Sequence, residues 1–346
     1  MSENAITLTE LFNKSGTAMR IYDLGRRIRS LGRDEFERIE AISTPYPTPY
    51  LHHAWIALVL WNPKQNSENA VWFLKLPLDE QGFMIPAVRD DIVNRLLTNV
   101  QHSVDGVPVE DSLKENPFMF KPSDEKMAIF HAKAALDQGL AASAFYEPVQ
   151  QFIADPTLST GWENLSLQGL ADFIVRLDAT DNQSNLARSI ANLPDALTAQ
   201  ILALLEHAQP DLELSKTLAD LVADTLKNSG DPIKISLLLR ALSGSRESSF
   251  LIESLKEVLN SDASRSAEVL SAVATRCEGA LMDPSTLKLF LERLAAGESG
   301  QTGFSRILAD LMYLPVHRVL IVQALRSAET SPKLKSATAA MFGSAF

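Results

Sequence analysis

Asp79 and Glu80 stand side by side where an aromatic, strand-like run, VWFLKL (71–76), meets Pro77, and Gly82 follows close behind. Two carboxylates can serve as general acid and general base if both face one substrate and their pKa values are held apart. Neighbouring residues on an extended chain point to opposite faces, so this pair does not converge. Turn chemistry explains the same letters. Pro77 cannot donate to a ladder and ends the strand. An Asp in the next positions accepts from the backbone two residues on, and Gly82 permits the turn. The second group with chemical potential is Arg26-Arg27-Ile28-Arg29. On a strand, Arg27 and Arg29 share a face with Asp23, and Arg26 faces the other way. Such a cluster either docks an acidic partner or pairs with the chain's own carboxylates, and exposed pairs of that kind are individually weak. The interaction candidates are therefore Arg26, Arg27, Arg29, Asp79 and Glu80.

Other reactive residue types are sparse. His52, His53, His102, His131, His207 and His317 form no HExxH and no zinc-site spacing. Cys277 is the only cysteine, which rules out an intrachain disulfide. In VATRC it reads as a buried, apolar helix residue. GESGQTG (297–303) lacks the Lys-Ser/Thr ending and the preceding strand of a phosphate loop, and reads as a connection between helices. Neither GxSxG nor GxGxxG occurs. No catalytic residue, metal or cofactor is expected.

Net charge narrows the partners. The 346 residues carry a formal charge of −11, with 46% hydrophobic and 22% charged residues. That composition supports a sizeable core and argues against general nucleic-acid binding, which needs a clustered basic face. The first residues, MSENAITLTELF, have no basic, apolar signal-peptide pattern, and no run approaches the ~20 apolar residues of a membrane span. The expected location is the cytoplasm, and the expected partner another protein.

The elements that must position these residues fall into two regions. AWIALVLW (54–61) is apolar on both alternating faces, as in a covered central strand. AVWFLKL (70–76) pairs with it through the polar turn 62–69. AMRIYDLGRRIRSL (18–31) fits a helix through Ile21, Leu24, Ile28 and Leu31 and a bending strand through Arg20-Ile21-Tyr22 and Gly25, and is taken as a third strand. Trp55 and Trp72 are expected in the sheet core. Short helices at 9–12 and 34–42 flank the sheet, with a longer one at 86–100 that starts on Pro86 and carries Val88, Ile92, Leu96 and Val100 on one stripe. Residues 1–100 thus form a small α+β domain with a three-stranded antiparallel sheet, and 101–122 a linker or wrapped loop. From 123 to 346 only helical segments occur: twelve between 123 and 327, and a last one at 332–342. Asp155-Pro156, Asp231-Pro232 and Asp283-Pro284 each place a cap before a proline. Leu193, Leu226, Leu259, Leu294 and Leu325 mark helix ends at near-constant spacing. A two-helix unit recurring every ~33–40 residues predicts a HEAT-like α-solenoid, with an irregular bundle as the alternative.

RIYDLGRRI (20–28) and WFLKLPLDEQG (72–82) resemble an uncharacterised bacterial family of about this length, noted for a Leu-Asp-Glu motif, here Leu78-Asp79-Glu80. The resemblance spans the chain and implies a two-part bacterial protein, without bringing an activity or a binding residue. The functional expectation is a non-enzymatic interaction adaptor or scaffold. The alternatives are an enzyme with its site at the junction of the two domains, and a regulatory subunit that binds a small ligand.

Overall fold

The computed structural model describes residues 6–61, 70–104, 116–155, 161–179, 181–327 and 329–343. The turn expected at 62–69, the middle of the expected linker and Pro156 lie outside them. The chain divides into two compact units, residues 1–122 with 313–315, and residues 123–312 with 316–346.

The first unit is a two-layer α+β fold. Helix α1 (Leu8–Ser15) opens with a capping box: Thr7 Oγ1 accepts from Glu10 N at 3.1 Å, and the Glu10 carboxylate accepts from Thr7 N. It stops at Gly16, whose φ of +72° is left-handed. Strands β1 (Ala18–Asp23) and β2 (Arg29–Leu31) precede helix α2 (Arg33–Glu40). Strands β3 (His53–Trp61) and β4 (Ala70–Pro77) precede helix α3 (Pro86–Val104). All pairings are antiparallel, in the order β2-β1-β3-β4. The sheet has four strands, not three. The 18–31 stretch is a hairpin whose turn spans Leu24 to Ile28, because the chain reverses around Gly25.

Register explains the core. Leu31 pairs with Ile21, Ile21 with Leu58, and Leu58 with Trp72, so these side chains share a face. Ala54, Ile56, Leu60, Leu74 and Leu76 join them, and the helices bring Leu8, Phe12, Phe36, Ile39, Ile92 and Val93. Each such side chain, fully buried, contributes ~1.5–3 kcal/mol. Trp72 is half-buried at the edge of this core, 5.7 Å from the Phe12 ring. Trp55 lies on the opposite face and is also half-buried. Phe120 stands edge-on to it at 4.8 Å, and Lys75 Nζ sits 4.6 Å from its ring centre. Phe120 arrives there because residues 116–120 wrap along β4, with Lys75 N donating to Phe118 O and Phe120 N to Phe73 O.

The second unit is helical throughout its described residues. Its thirteen helices are α4 (Asp124–Asp137), α5 (Tyr146–Ala154), α6 (Leu167–Val175), α7 (Asn182–Ser189), α8 (Asp195–Leu205), α9 (Leu212–Asn228), α10 (Pro232–Leu242), α11 (Ser248–Leu259), α12 (Ala267–Arg276), α13 (Pro284–Ala296), α14 (Gly300–Met312), α15 (Pro315–Leu325) and α16 (Pro332–Phe342). Asp231 and Asp283 cap helices that start on proline, accepting from Ile233 N at 2.9 Å and Thr286 N at 2.8 Å. Cys277 is buried one residue past α12 rather than within it.

Packing joins alternate helices. One row runs α4, α6, α8, α10, α12, α14, and the other α5, α7, α9, α11, α13, α16. Each helix rests on the one before it in its row. The even leucine spacing tracks the second row through Leu294 of α13. Its last member, Leu325, belongs to α15, and α16 takes the next place in the row instead. Spacing counts residues and does not fix which neighbour a helix packs on.

Candidate functional site

The sequence candidates gather at one end of the sheet. There the β1–β2 turn, the segment 43–53 and the turn after β4 are bonded together. Asp23 is wholly buried and accepts from Gly25 N at 2.9 Å and from Thr48 Oγ1, with Arg29 Nε at 3.4 Å. The buried Tyr46 phenol faces the same carboxylate. Burial raises the Asp23 pKa, and the bonds from Thr48 and Gly25, the nearby Tyr46 phenol and the charge of Arg29 offset that only in part. Gly25 suits the place because an added Cβ would stand 3.2 Å from Asp23 Oδ1 and 3.3 Å from Tyr50 Cβ.

Arg26 is buried, 1% exposed, with Nε donating to Pro49 O at 3.0 Å and its guanidinium 5.9 Å from the Tyr50 ring centre. The strand expectation for 26–29 is thereby corrected: Arg26 and Arg27 lie in a turn, and only Arg29 belongs to a strand. A turn can direct a guanidinium inward onto a main-chain carbonyl, which strand alternation does not anticipate.

The Leu-Asp-Glu motif closes the other side of this end. Asp79 Oδ1 accepts from Gln81 N and Phe83 N, both at 2.9 Å, and Gly82 takes φ +85°. This is the side-chain-to-backbone turn that the residue types predict. Glu80 is exposed. Leu78 N donates to His52 O and Tyr46 N to Gly82 O, so the motif is fastened to segment 43–53. That segment turns tightly at Leu51 and His52, with φ of 49° and 63°. Both are conformations that bulky residues seldom adopt. Reciprocal bonds between Tyr50 and His53 close the turn, and Trp55 Nε1 donates to Tyr50 O at 2.8 Å. The two family-like phrases therefore meet on a third segment, about which their own letters carry no signal.

The helical unit holds polar groups that the sequence reading passed over. Glu206, 2% exposed at the end of α8, accepts from Arg240 Nε of α10 at 2.5 Å and from Arg276 Nη2 of α12 at 3.2 Å, with His207 Nε2 at 3.3 Å. Burial alone would raise its pKa. Arg276, His207 and Arg240 outweigh burial and hold it at about 2. The partners lie 34 and 70 residues away, on the next two helices of the same row, so reading charges in step with alternate helices is the signal that finds them.

A second polar group lies at a cleft of about 600 Å³ at the α4–α5 and α6–α7 turns, lined by Ser143, Tyr146, Glu147, Gln150 and Arg176. Asn182 Nδ2 and Gln150 Nε2 both donate to the Tyr146 hydroxyl, at 2.9 and 3.1 Å, and Gln150 Nε2 also reaches Asn182 Oδ1 at 3.0 Å. Arg176 Nη1 bonds the buried Asp172 at 2.8 Å. On this edge, where helices of the first row hand over to the second, Leu140, Phe145 and Leu212 are 57%, 54% and 66% exposed.

Among the described residues no three His, Cys, Asp or Glu side chains gather as a metal set, and no helix is long and apolar enough to cross a membrane. Neither the curated proteins nor the solved structures hold a significant match to this chain. Residues 3–342 match the family described as "Protein of unknown function (DUF3549)", and the chain belongs to that family.

Proposed function

We propose that this member of the DUF3549 family is a non-enzymatic interaction adaptor or scaffold: a small α+β unit followed by a HEAT-like α-solenoid. The observation that carries the reading is the alternate-helix packing of the second unit. Stacked rows of this kind present long surfaces to other proteins. The exposed Leu140, Phe145 and Leu212 along one row of turns give such a surface apolar anchor points. The motif-bearing end of the sheet fits the reading as framework, because Asp79 is committed to its turn and Arg26 is buried.

The test is cross-linked capture with the full chain as bait in lysate of its own source cells. The expected result is a protein retained in near-stoichiometric amount and lost with Leu212→Asp while the helical circular-dichroism signal is unchanged. Retention of no protein, or equal retention by Leu212→Asp and Leu140→Asp, would overturn it.

A further inference from the structure

The outer edge of β4 already carries a stretch of this chain, and the fit is incomplete. Residues 116–120 run antiparallel to β4 with Met119 opposite Leu74. In that register Phe118 faces Lys75 and Phe120 faces Phe73. Two main-chain bonds join them: Lys75 N donates to Phe118 O at 2.7 Å, and Phe120 N to Phe73 O at 3.1 Å. In a full antiparallel ladder each such pair exchanges two bonds. Phe118 N is instead spent on Asn116 Oδ1 at 2.9 Å, so it does not donate to Lys75 O. Two residues past Phe120 the register brings Pro122 opposite Val71, and proline has no N–H to give Val71 O. Strand β4 runs on to Ala70, which is exposed.

The side chains of the segment show what this edge selects. Phe120 stands edge-on to Trp55 at 4.8 Å and lies 6.0 Å from the Phe73 ring. Alternation turns Met119 the other way, against the sheet core. Sheet edges take up extended segments of other proteins, with main-chain bonds giving affinity and pockets for alternate side chains giving specificity. A continuous strand would make both bonds that residues 116–122 withhold, at Lys75 O and at Val71 O.

We infer that the β4 edge docks an extended segment of a partner protein, carrying an apolar residue followed by an aromatic one, and that residues 116–120 are its built-in competitor. This surface belongs to the sheet unit and goes beyond the helical surface proposed above. A competitor on the same chain reduces the apparent affinity of an outside strand by the fraction of time the edge is open.

The probe is a fluorescent synthetic peptide that copies residues 116–124 with Pro122→Val, so that its main chain can pair as far as Val71. Its anisotropy is followed on the full chain. Phe120→Ala in the chain loosens the competitor and should tighten peptide binding about tenfold over the parent. Pro122→Val in the chain gives the competitor its missing N–H and should weaken binding about fivefold. This second variant decides the test if Phe120→Ala does not fold. A peptide that also carries Phe120→Ala should bind none of the chains. A probe bound by no chain, or bound equally by parent and variants, would overturn the inference. So would a doubled mass of the Phe120→Ala chain alone, which would give the opened edge to a second copy. Failure here leaves the lysate test of the helical surface standing, and failure there leaves this one.

Discussion

Asp23 and Glu40 in the sheet unit and Glu206 in the helical unit are almost wholly buried, yet they are held in opposite ways. Glu40 accepts from Leu8 N at 2.9 Å, Thr9 N at 3.1 Å and Thr9 Oγ1 at 2.5 Å, at the N-terminus of α1. Its pKa is still raised, chiefly by burial, as is that of Asp23. Neutral donors, even several and even with the charges of Arg29 and Arg89, do not outweigh the loss of water there. Glu206 has two guanidiniums, and its pKa falls to about 2. A buried carboxylate keeps its charge comfortably only when opposite charge is buried with it. The sheet unit therefore carries carboxylates that acid relieves, and the helical unit one that acid disarms.

The sharpest way to break this contrast is Glu206→Gln. It strands Arg240 and Arg276 without a counter-charge, and should destabilise the helical unit by ~3–5 kcal/mol. Cys277 is buried there and is the only thiol, so its labelling rate in dilute urea reports that unit specifically. Unchanged labelling would refute the assignment.

Acid should separate the two regions next. The Glu206 contribution is fully present above its ordinary value of 4.5 and is lost as pH falls from there through about 2. Linkage puts the loss at ~3 kcal/mol. Asp23 and Glu40 have the opposite sign: their contribution is present below their ordinary values of 3.8 and 4.5 and fades as pH rises through the raised ones. Urea midpoints followed by helical circular dichroism should therefore drop across pH 4.5 to 2. Those followed by tryptophan fluorescence, where three of the four indoles lie in the sheet unit, should drop less or rise. Parallel curves would contradict the contrast.

Asp23→Asn is expected to cost no more than ~1.5 kcal/mol, because a neutral side chain keeps an acceptor for Gly25 N and escapes the desolvation penalty. A loss as large as that of Glu206→Gln would mean that Asp23 is held as a paired ion. The smallest effects belong to the motif. Asp79→Ala should cost ~0.5–2 kcal/mol through its two backbone bonds, and Glu80→Gln should stay within ~0.5 kcal/mol of the parent, as exposed positions do. Paired thermal melts check both.

Where local chemistry decides structure, the sequence was legible. Proline-led caps at Asp231 and Asp283, the Pro77–Gly82 turn and the two-faced apolar run 54–61 all lie where their residue types require. Strand β2 was missed because three residues after a charged turn carry too little pattern for a strand. Arg26 was misjudged because its anchors, the Pro49 carbonyl and the Tyr50 ring, lie on a segment more than twenty residues away and leave no mark near it. The cleft around Tyr146 was invisible for a related reason. Its members come from three helices and the turns between them, and their polar letters look like ordinary solvated positions until the rows are stacked.

The reach of Arg276 has a kinetic meaning. Coupling in a stack of helices runs mostly between neighbours, within a row and across the two rows, so disorder can start at any weak step and spread one unit at a time. The bond from Arg276 on α12 to Glu206 on α8 skips α10 and ties second neighbours, 70 residues apart in the chain. Opening α10 breaks its own pair but leaves Glu206 held by Arg276, so parting α8 from α12 requires breaking this longer tie as well. The three helices become one cooperative block inside an otherwise stepwise array, the last part expected to exchange its amide protons with solvent.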